Sequence, residues 1–197
     1  VGVNRAIPVS LGMVKVFILA GNRPVLVDTG TAGNARRILA GLKRHGIDPS
    51  AIGLVLITHT HGDHIGSLAD INRIVRAPVA VHRLDADSLR RGSGVEPDIL
   101  LEDDFGLRQY GVAGRVIWTP GHSRGSVSVM LEAGEAVVGD LVLPRFMAFG
   151  PPAIAFWSAS REDSIASIRK VLALKPSVIL TSHGGPYDPG SLTRLTR

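Results

Sequence analysis

The chain contains no cysteine. That excludes disulfides and thiolate metal sites, so any metal ligand must be His, Asp or Glu. It has no apolar run near the roughly 20 residues that a membrane-spanning helix needs, which gives the expectation of no membrane partner. Residues 1–10 lack the charged head and long apolar stretch of a signal peptide. With the absence of cysteine, this leads to a cytoplasmic expectation. Aromatic residues are scarce, at 5% of the chain, so any place where they gather is informative. Acidic residues are outnumbered, 17 Asp and Glu against 22 Lys and Arg, for a net charge of +5 and a pI of about 10.2. A basic balance can serve nucleic acid or an anionic substrate. Here the arginines stand singly or in pairs (Arg36 and Arg37, Arg90 and Arg91) without interleaved aromatics. That pattern reads as a solvated basic surface rather than a nucleic-acid tract.

What is present is enough for a proper core. The 197 residues are 45% apolar with a mean hydropathy of +0.22, as expected of one globular domain over residues 1–197. The densest chemistry lies in Thr58-His59-Thr60-His61-Gly62-Asp63-His64, directly after the apolar run Leu54-Val55-Leu56-Ile57. A strand ending near Thr58 would point His59 and His61 the same way by two-residue alternation. A turn at Gly62 and a helix opening with Asp63 and His64 would aim those two at a second point nearby. One strand-to-helix turn can thus feed two metal ions, and imidazole with carboxylate suits Zn²⁺, Fe²⁺ or Mn²⁺.

Taken in order, residues 7–10, 14–20 and 25–27 read as strands, the last ending at Asp28. Asn34 is expected to cap a helix running to about His45 and stopped by Gly46. After the strand at 54–58, a helix is expected over 63–72 and a strand over 78–82. Asp85 is expected to cap a helix ending at Gly92. Residues 92–106 read as loop, 115–118 as strand, and residues 119–122 as a tight turn presenting His122. A hairpin follows over 126–131 and 136–138, ending at Gly139-Asp140. Ser160 with Asp163 opens a helix to about Leu174, and a last strand over 178–181 ends at Ser182-His183. Asp28, His59 to His64, His122, Asp140 and His183 therefore all follow strand ends, on one edge of an α/β sheet sandwich with helices outside. His45 and His82 lie outside this pattern and read as structural.

His59-x-His61-x-Asp63-His64, then Pro120-Gly121-His122-Ser123, Val138-Gly139-Asp140 and His183, in that order, resemble the metallo-β-lactamase superfamily. The resemblance covers nearly the whole chain, starting at Val25-Leu26-Val27-Asp28-Thr29-Gly30. It implies an αβ/βα sandwich of two mixed sheets with helices on the outer faces. By position it implies one metal on His59, His61 and His122, a second on Asp63, His64 and His183, and Asp140 bridging both. Asp28 would stand behind the ligands and steer an imidazole by hydrogen bonding. Two zinc-type ions, or iron or manganese in their place, would activate a shared hydroxide to attack a carbonyl, with Asp63 orienting or shuttling the proton. The expected substrate is a small ester, thioester or lactone.

Other branches and folds fit less well. Asp140 stands where lactamases with a cysteine ligand have that cysteine. The resemblance to glyoxalase II lacks its C-terminal helical domain, since 184–197 alone follow His183. Quorum-quenching lactonases carry a tyrosine shortly after the bridging Asp, where this chain has Leu141-Val142-Leu143. Flavodiiron proteins replace His61 by Glu, and transfer-RNA nucleases add an RNA-gripping arm that this chain does not show. An iron persulfide dioxygenase, which loads one iron on the His59, His61 and His122 positions with an Asp, is the runner-up. A nucleic-acid phosphodiesterase is third. A non-catalytic relic is opposed by the seven intact ligand positions. Asp28-Thr29-Gly30 also matches the aspartic-protease signature, but that chemistry needs two such aspartates, and the histidines would stay unexplained.

The scarce aromatics gather after Asp140, in residues 144–157. Arg145, Phe146 and Phe149 are expected to line the substrate site, with Arg145 meeting an anionic group, and Tyr187 or Tyr110 to supply a hydroxyl in place of the lactonase tyrosine. An exposed apolar patch in the same stretch would instead drive formation of a homodimer.

Overall fold

The computed structural model describes residues 5–146 and 150–197. A first sheet is built from β1 (Ala6–Ser10), β2 (Lys15–Leu19), β3 (Val25–Val27), β4 (Leu54–Leu56), β5 (Val79–His82) and β6 (Ile99–Leu101), in that spatial order. β1 to β3 are antiparallel and β3 to β6 parallel. A second sheet has β7 (Phe105–Gly106), β8 (Gly114–Trp118), β9 (Val127–Leu131), β10 (Glu135–Val137) and β13 (Val178–Leu180), with β13 parallel to β10 and the other neighbours antiparallel. Both sheets are mixed, as expected. β11 (Leu143–Pro144) and β12 (Pro152–Ala153) pair as a small ribbon.

Alternation along the strands sorts the core into layers. Val16, Ile18, Leu26, Val55, Val79 and Val81 face one way, onto α1 (Ala35–Arg44), α3 (Leu68–Val75) and α4 (Ala86–Ser93). Their neighbours Phe17, Leu19, Val25, Val27, Leu54, Leu56 and Ala80 face Val116, Val127, Val129, Leu131 and Val137 of the second sheet. Strands buried on both faces read as continuous apolar runs, which is why these segments are so plain in the sequence. Ala136, Val138 and Ile179 then pack outward against Ile168 and Val171 of α5 (Arg161–Ala173) and Leu192 of the C-terminal 3₁₀ stretch Pro189–Thr196. The order is helices, sheet, sheet, helix.

Several expectations need correction. The helix expected over 63–72 is two: α2 (Gly62–Ile65) and α3, parted at Gly66 and Ser67. A Cβ on Gly66 would lie 2.3 Å from the Ala32 amide nitrogen, so the chain passes too close there for any side chain. Residues 92–106 are not simply loop, because β6 completes the first sheet and β7 the second. Asn34 precedes α1, but its side chain bonds back to Thr31 instead of capping the helix. Asp85 precedes α4 and does not cap it either. Ser160 does cap α5, accepting from the Asp163 amide at 3.1 Å. Among the described residues, no helix is long and apolar enough to cross a membrane.

Candidate metal centre

Three backbone bonds hold the ligand-bearing turns together. The amide of Val127 in the second sheet donates to the Thr58 carbonyl at 2.9 Å, the Ser182 amide to Gly139, and the Lys15 amide to Ser182. Gly139 has φ +54, a left-handed conformation, and lies against Thr58, where a Cβ would come within 3.0 Å of the Thr58 hydroxyl, so the turn before Asp140 favours glycine. These ties bring seven residues from four separate segments to one edge of the sandwich.

The ligand atoms fall into two groups, His59 with His61 and His122, and Asp63 with His64, Asp140 and His183, with no pair in either group more than 4.8 Å apart. Asp140 sits between them: its Oδ2 is 3.5 Å from the ring nitrogens of both His64 and His183 and 3.8 Å from His122 Nε2. The His59 and His64 rings lie only 3.9 Å apart, centre to centre.

Three of the imidazoles are oriented from behind. Asp28, 1% exposed, accepts from the Thr58 amide at 2.8 Å, the Thr58 hydroxyl at 2.7 Å and His64 Nδ1 at 2.8 Å. The Thr58 hydroxyl, already donating to Asp28, accepts from His59 Nδ1 at 3.2 Å. His183 Nδ1 donates to the Met13 carbonyl at 2.8 Å. In each ring Nδ1 carries the proton and Nε2 points into the site, the second contact that metal-binding histidines characteristically make.

The donor set fits a divalent cation. His59 Nε2, His64 Nε2 and Asp140 Oδ1 are buried without a hydrogen-bond partner, and His61 Nδ1 faces His122 Nε2 at 2.9 Å. Orphaned buried polar atoms cost about 1–3 kcal/mol each, and they gather here rather than through the core. A cation would supply the missing partner to His59 Nε2, His64 Nε2 and Asp140 Oδ1.

The electrostatics of the metal-free site follow from crowding. Burial and the charges of His64, His122 and His61 hold His59 well below the usual imidazole range. Burial pushes His122 down to about 4, against the pull of Asp140. His64 goes the other way: burial opposes its charge, but Asp28 and Asp140 outweigh it and raise it to about 10. Burial would raise Asp63, yet the His183 bond, at 3.0 Å, and the His64 charge hold it well below the carboxylate range. The raised His64 stabilises the metal-free fold fully below about 6.5, its ordinary value, and that contribution is lost as pH rises through about 10. At neutral pH a metal entering the second group must therefore displace the His64 proton. Zinc uptake at pH 7, followed by calorimetry in two buffers of different ionisation enthalpy, is expected to release at least one proton per chain. Affinity should climb about tenfold per pH unit for each proton displaced. Uptake without proton release would mean a neutral His64.

A cavity of about 250 Å³ opens on this edge, lined by His61, Asp63, Asp140, Leu143, Trp157 and His183. A larger hollow of about 630 Å³ lies elsewhere, beside Arg108, Arg115 and Glu132, and contains none of the clustered ligands. Of the residues expected to meet substrate, Arg145 and Phe146 are exposed and do not line the smaller cavity. Tyr187 packs with the outer core and donates its hydroxyl to the Gly150 carbonyl at 3.3 Å. Phe149 lies outside the described residues. Sequence reasoning placed Trp157 in the right stretch without singling it out, and it missed Leu143, Thr58 and Met13. Thr58 could have been suspected from its place before His59, whereas Met13, 170 residues from His183, carries no local signal. His82 stacks on Trp118 with centroids 5.3 Å apart and belongs to neither ligand group.

Fold and site together define a metal-dependent hydrolase of two stacked sheets with its ligands on one edge. The family model of the metallo-β-lactamase superfamily matches residues 10–183, and the chain belongs to that superfamily. A probable metallo-hydrolase of Bacillus subtilis (strain 168), YqgX, is 29% identical over 188 residues, spanning 87% of this chain and 85% of that protein. A hydroxyacylglutathione hydrolase of Xanthomonas euvesicatoria pv. vesicatoria (strain 85-10) is 33% identical over 122 residues, which is 59% of this chain and 41% of that protein. Among solved structures, TTHA1623 in a di-iron-bound form superposes with a TM-score of 0.72 at 27% identity, covering 96% of this chain and 98% of that one.

Proposed function

We propose that the chain hydrolyses a small ester, thioester or lactone at a pair of divalent ions, zinc in the first instance. The observation that carries this reading is the pair of adjacent ligand groups, with unpartnered buried nitrogens, opening on one small cavity. His59, His61 and His122 would hold one ion and Asp63, His64 and His183 the other, with Asp140 shared. Ions held there would lower the pKa of water towards neutrality and polarise a carbonyl. Asp63 stays ionised beside His183 and faces the cavity, so its carboxylate can orient water and take up a proton. Leu143 and Trp157 form the apolar wall, excluding water and receiving an apolar part of the substrate. The hydroxyacylglutathione hydrolases among the relatives favour a thioester. Iron remains the alternative metal, because His and Asp ligands discriminate poorly between these ions, and one similar structure is described as di-iron-bound.

The test is metal content of the purified protein, followed by a screen of esters, thioesters and lactones. About two zinc ions per chain with hydrolysis supports the reading. One iron per chain with oxygen uptake would replace it by the persulfide-type oxygenase. Trp157→Ala is expected to raise KM for an apolar substrate by about tenfold with metal content unchanged. Unaltered kinetics would remove Trp157 from the substrate wall.

A further inference from the structure

His122 differs from His59, His64 and His183. His64, His59 and His183 are each steered through Nδ1, by Asp28, Thr58 and the Met13 carbonyl. His122 Nδ1 is buried with no hydrogen-bond partner among the described residues. Its ring direction must therefore be set through its backbone, by the loop at residues 120–125.

That loop is gripped from two sides. On one side Ser167 Oγ donates to the Pro120 carbonyl at 2.7 Å, the Ser160 amide to Gly121 at 2.9 Å and the Ala159 amide to His122 at 3.2 Å. On the other side stands Asp85, at the start of α4. Its carboxylate is only 5% exposed and leaves the helix uncapped. Instead it accepts from the Ser123 hydroxyl at 2.8 Å and the Gly125 amide at 3.1 Å. A Cβ on Gly125 would lie 2.5 Å from the Asp85 carboxyl carbon, so the close approach requires glycine there. Ser123 passes the restraint on: its amide donates to Ser126 Oγ at 2.9 Å, and its carbonyl accepts from the Gly121 amide at 3.0 Å.

We propose that Asp85 is a positioning residue for His122, holding the 120–125 loop so that this imidazole is aimed at the group formed with His59 and His61. This rests on the reading of those three histidines as one metal-binding group. A buried carboxylate diverted from its own helix to a loop 38 residues away has a specific task, and the loop it holds carries an imidazole whose Nδ1 has no hydrogen-bond partner among the described residues. Asp85 belongs to neither ligand group and does not line the small cavity, so it would act only through the loop.

The test is zinc titration of chelator-stripped protein against a chromophoric chelator, for the wild type, His122→Ala, Asp85→Ala and Asp85→Asn. The wild type should bind two ions, and His122→Ala should weaken one of them. Asp85→Ala should weaken that same ion by about 10–100-fold and leave the other unchanged. Asp85→Asn should restore most of the loss, because the amide oxygen accepts from Gly125 and the Ser123 hydroxyl can turn to accept from the amide. Wild-type affinities in Asp85→Ala, or equal weakening of both ions, would overturn the proposal, the latter by making the role merely structural. Where Asp85→Ala does not fold, Ser123→Ala must weaken the same ion several-fold, and an unchanged affinity would overturn the proposal. Unchanged binding in His122→Ala would overturn the reading of the metal group itself, and the proposal with it.

Discussion

Asp140→Asn is expected to lower turnover by about 10²–10³-fold and to cost at least one of the two bound ions. Asparagine has nearly the same shape, so the buried turn after Gly139 should persist and the fold with it. What disappears is the negative charge among the ring nitrogens of His64, His183 and His122, each within 3.8 Å of Oδ2. Two cations held side by side repel, and a neutral amide cannot offset that repulsion as a carboxylate does. The measurement is kcat together with metal content by plasma mass spectrometry. Near-normal turnover with two ions retained would sink the shared role of Asp140.

Asp28 should show the other large effect, and two substitutions separate its two tasks. Asp28→Ala leaves the Thr58 amide, the Thr58 hydroxyl and His64 Nδ1 without their acceptor in a fully buried place. Breaking such a buried charged pair costs about 3–5 kcal/mol, which should depress the melting temperature by roughly 10 °C or more. Alanine also fits poorly at φ +64. Asparagine tolerates that backbone and can still accept from the Thr58 amide, so Asp28→Asn should lose less stability. Its NH₂ would face His64 Nδ1, which favours the tautomer with the proton on Nε2 and blocks the ligand nitrogen. Metal affinity should then fall about 10–100-fold while the protein remains folded. Thermal unfolding of both variants, run beside chelator competition, checks this. Equal metal affinity in Asp28→Asn and wild type would show that Asp28 does not set the tautomer.

How much of the site was legible beforehand depended on chemistry being local. His59, His61, Asp63 and His64 sit within six residues after a buried strand, and alternation followed by a turn already divides them into two pairs. The structure keeps that division, with His59 and His61 in one group and Asp63 and His64 in the other. The caps were less legible. Asn34 and Asp85 both have the right type and place for a helix start, yet tertiary partners claim both side chains. Likewise β6 is apolar but only three residues long and partly exposed, and β7 is two residues long, so pairing with β5 and β8 is what marks them as strands.

The aromatic stretch marks the boundary most clearly. Composition located it, but could not tell Trp157, which lines the cavity, from Phe156, which is 94% exposed beside it. The chain by itself determined which side chains could hold a metal and which strands are buried on both faces. These follow from residue type and from periods of two and 3.6, which act over a few residues. The tertiary structure alone decided that Asp140 Oδ2 stands 3.5 to 3.8 Å from the His64, His183 and His122 nitrogens, that Met13 holds His183, and that Asp85 reaches the loop of His122. Such contacts join segments tens to more than a hundred residues apart. No local preference encodes them, because their partners become neighbours only when the sheets stack and the strand ends come together on one edge.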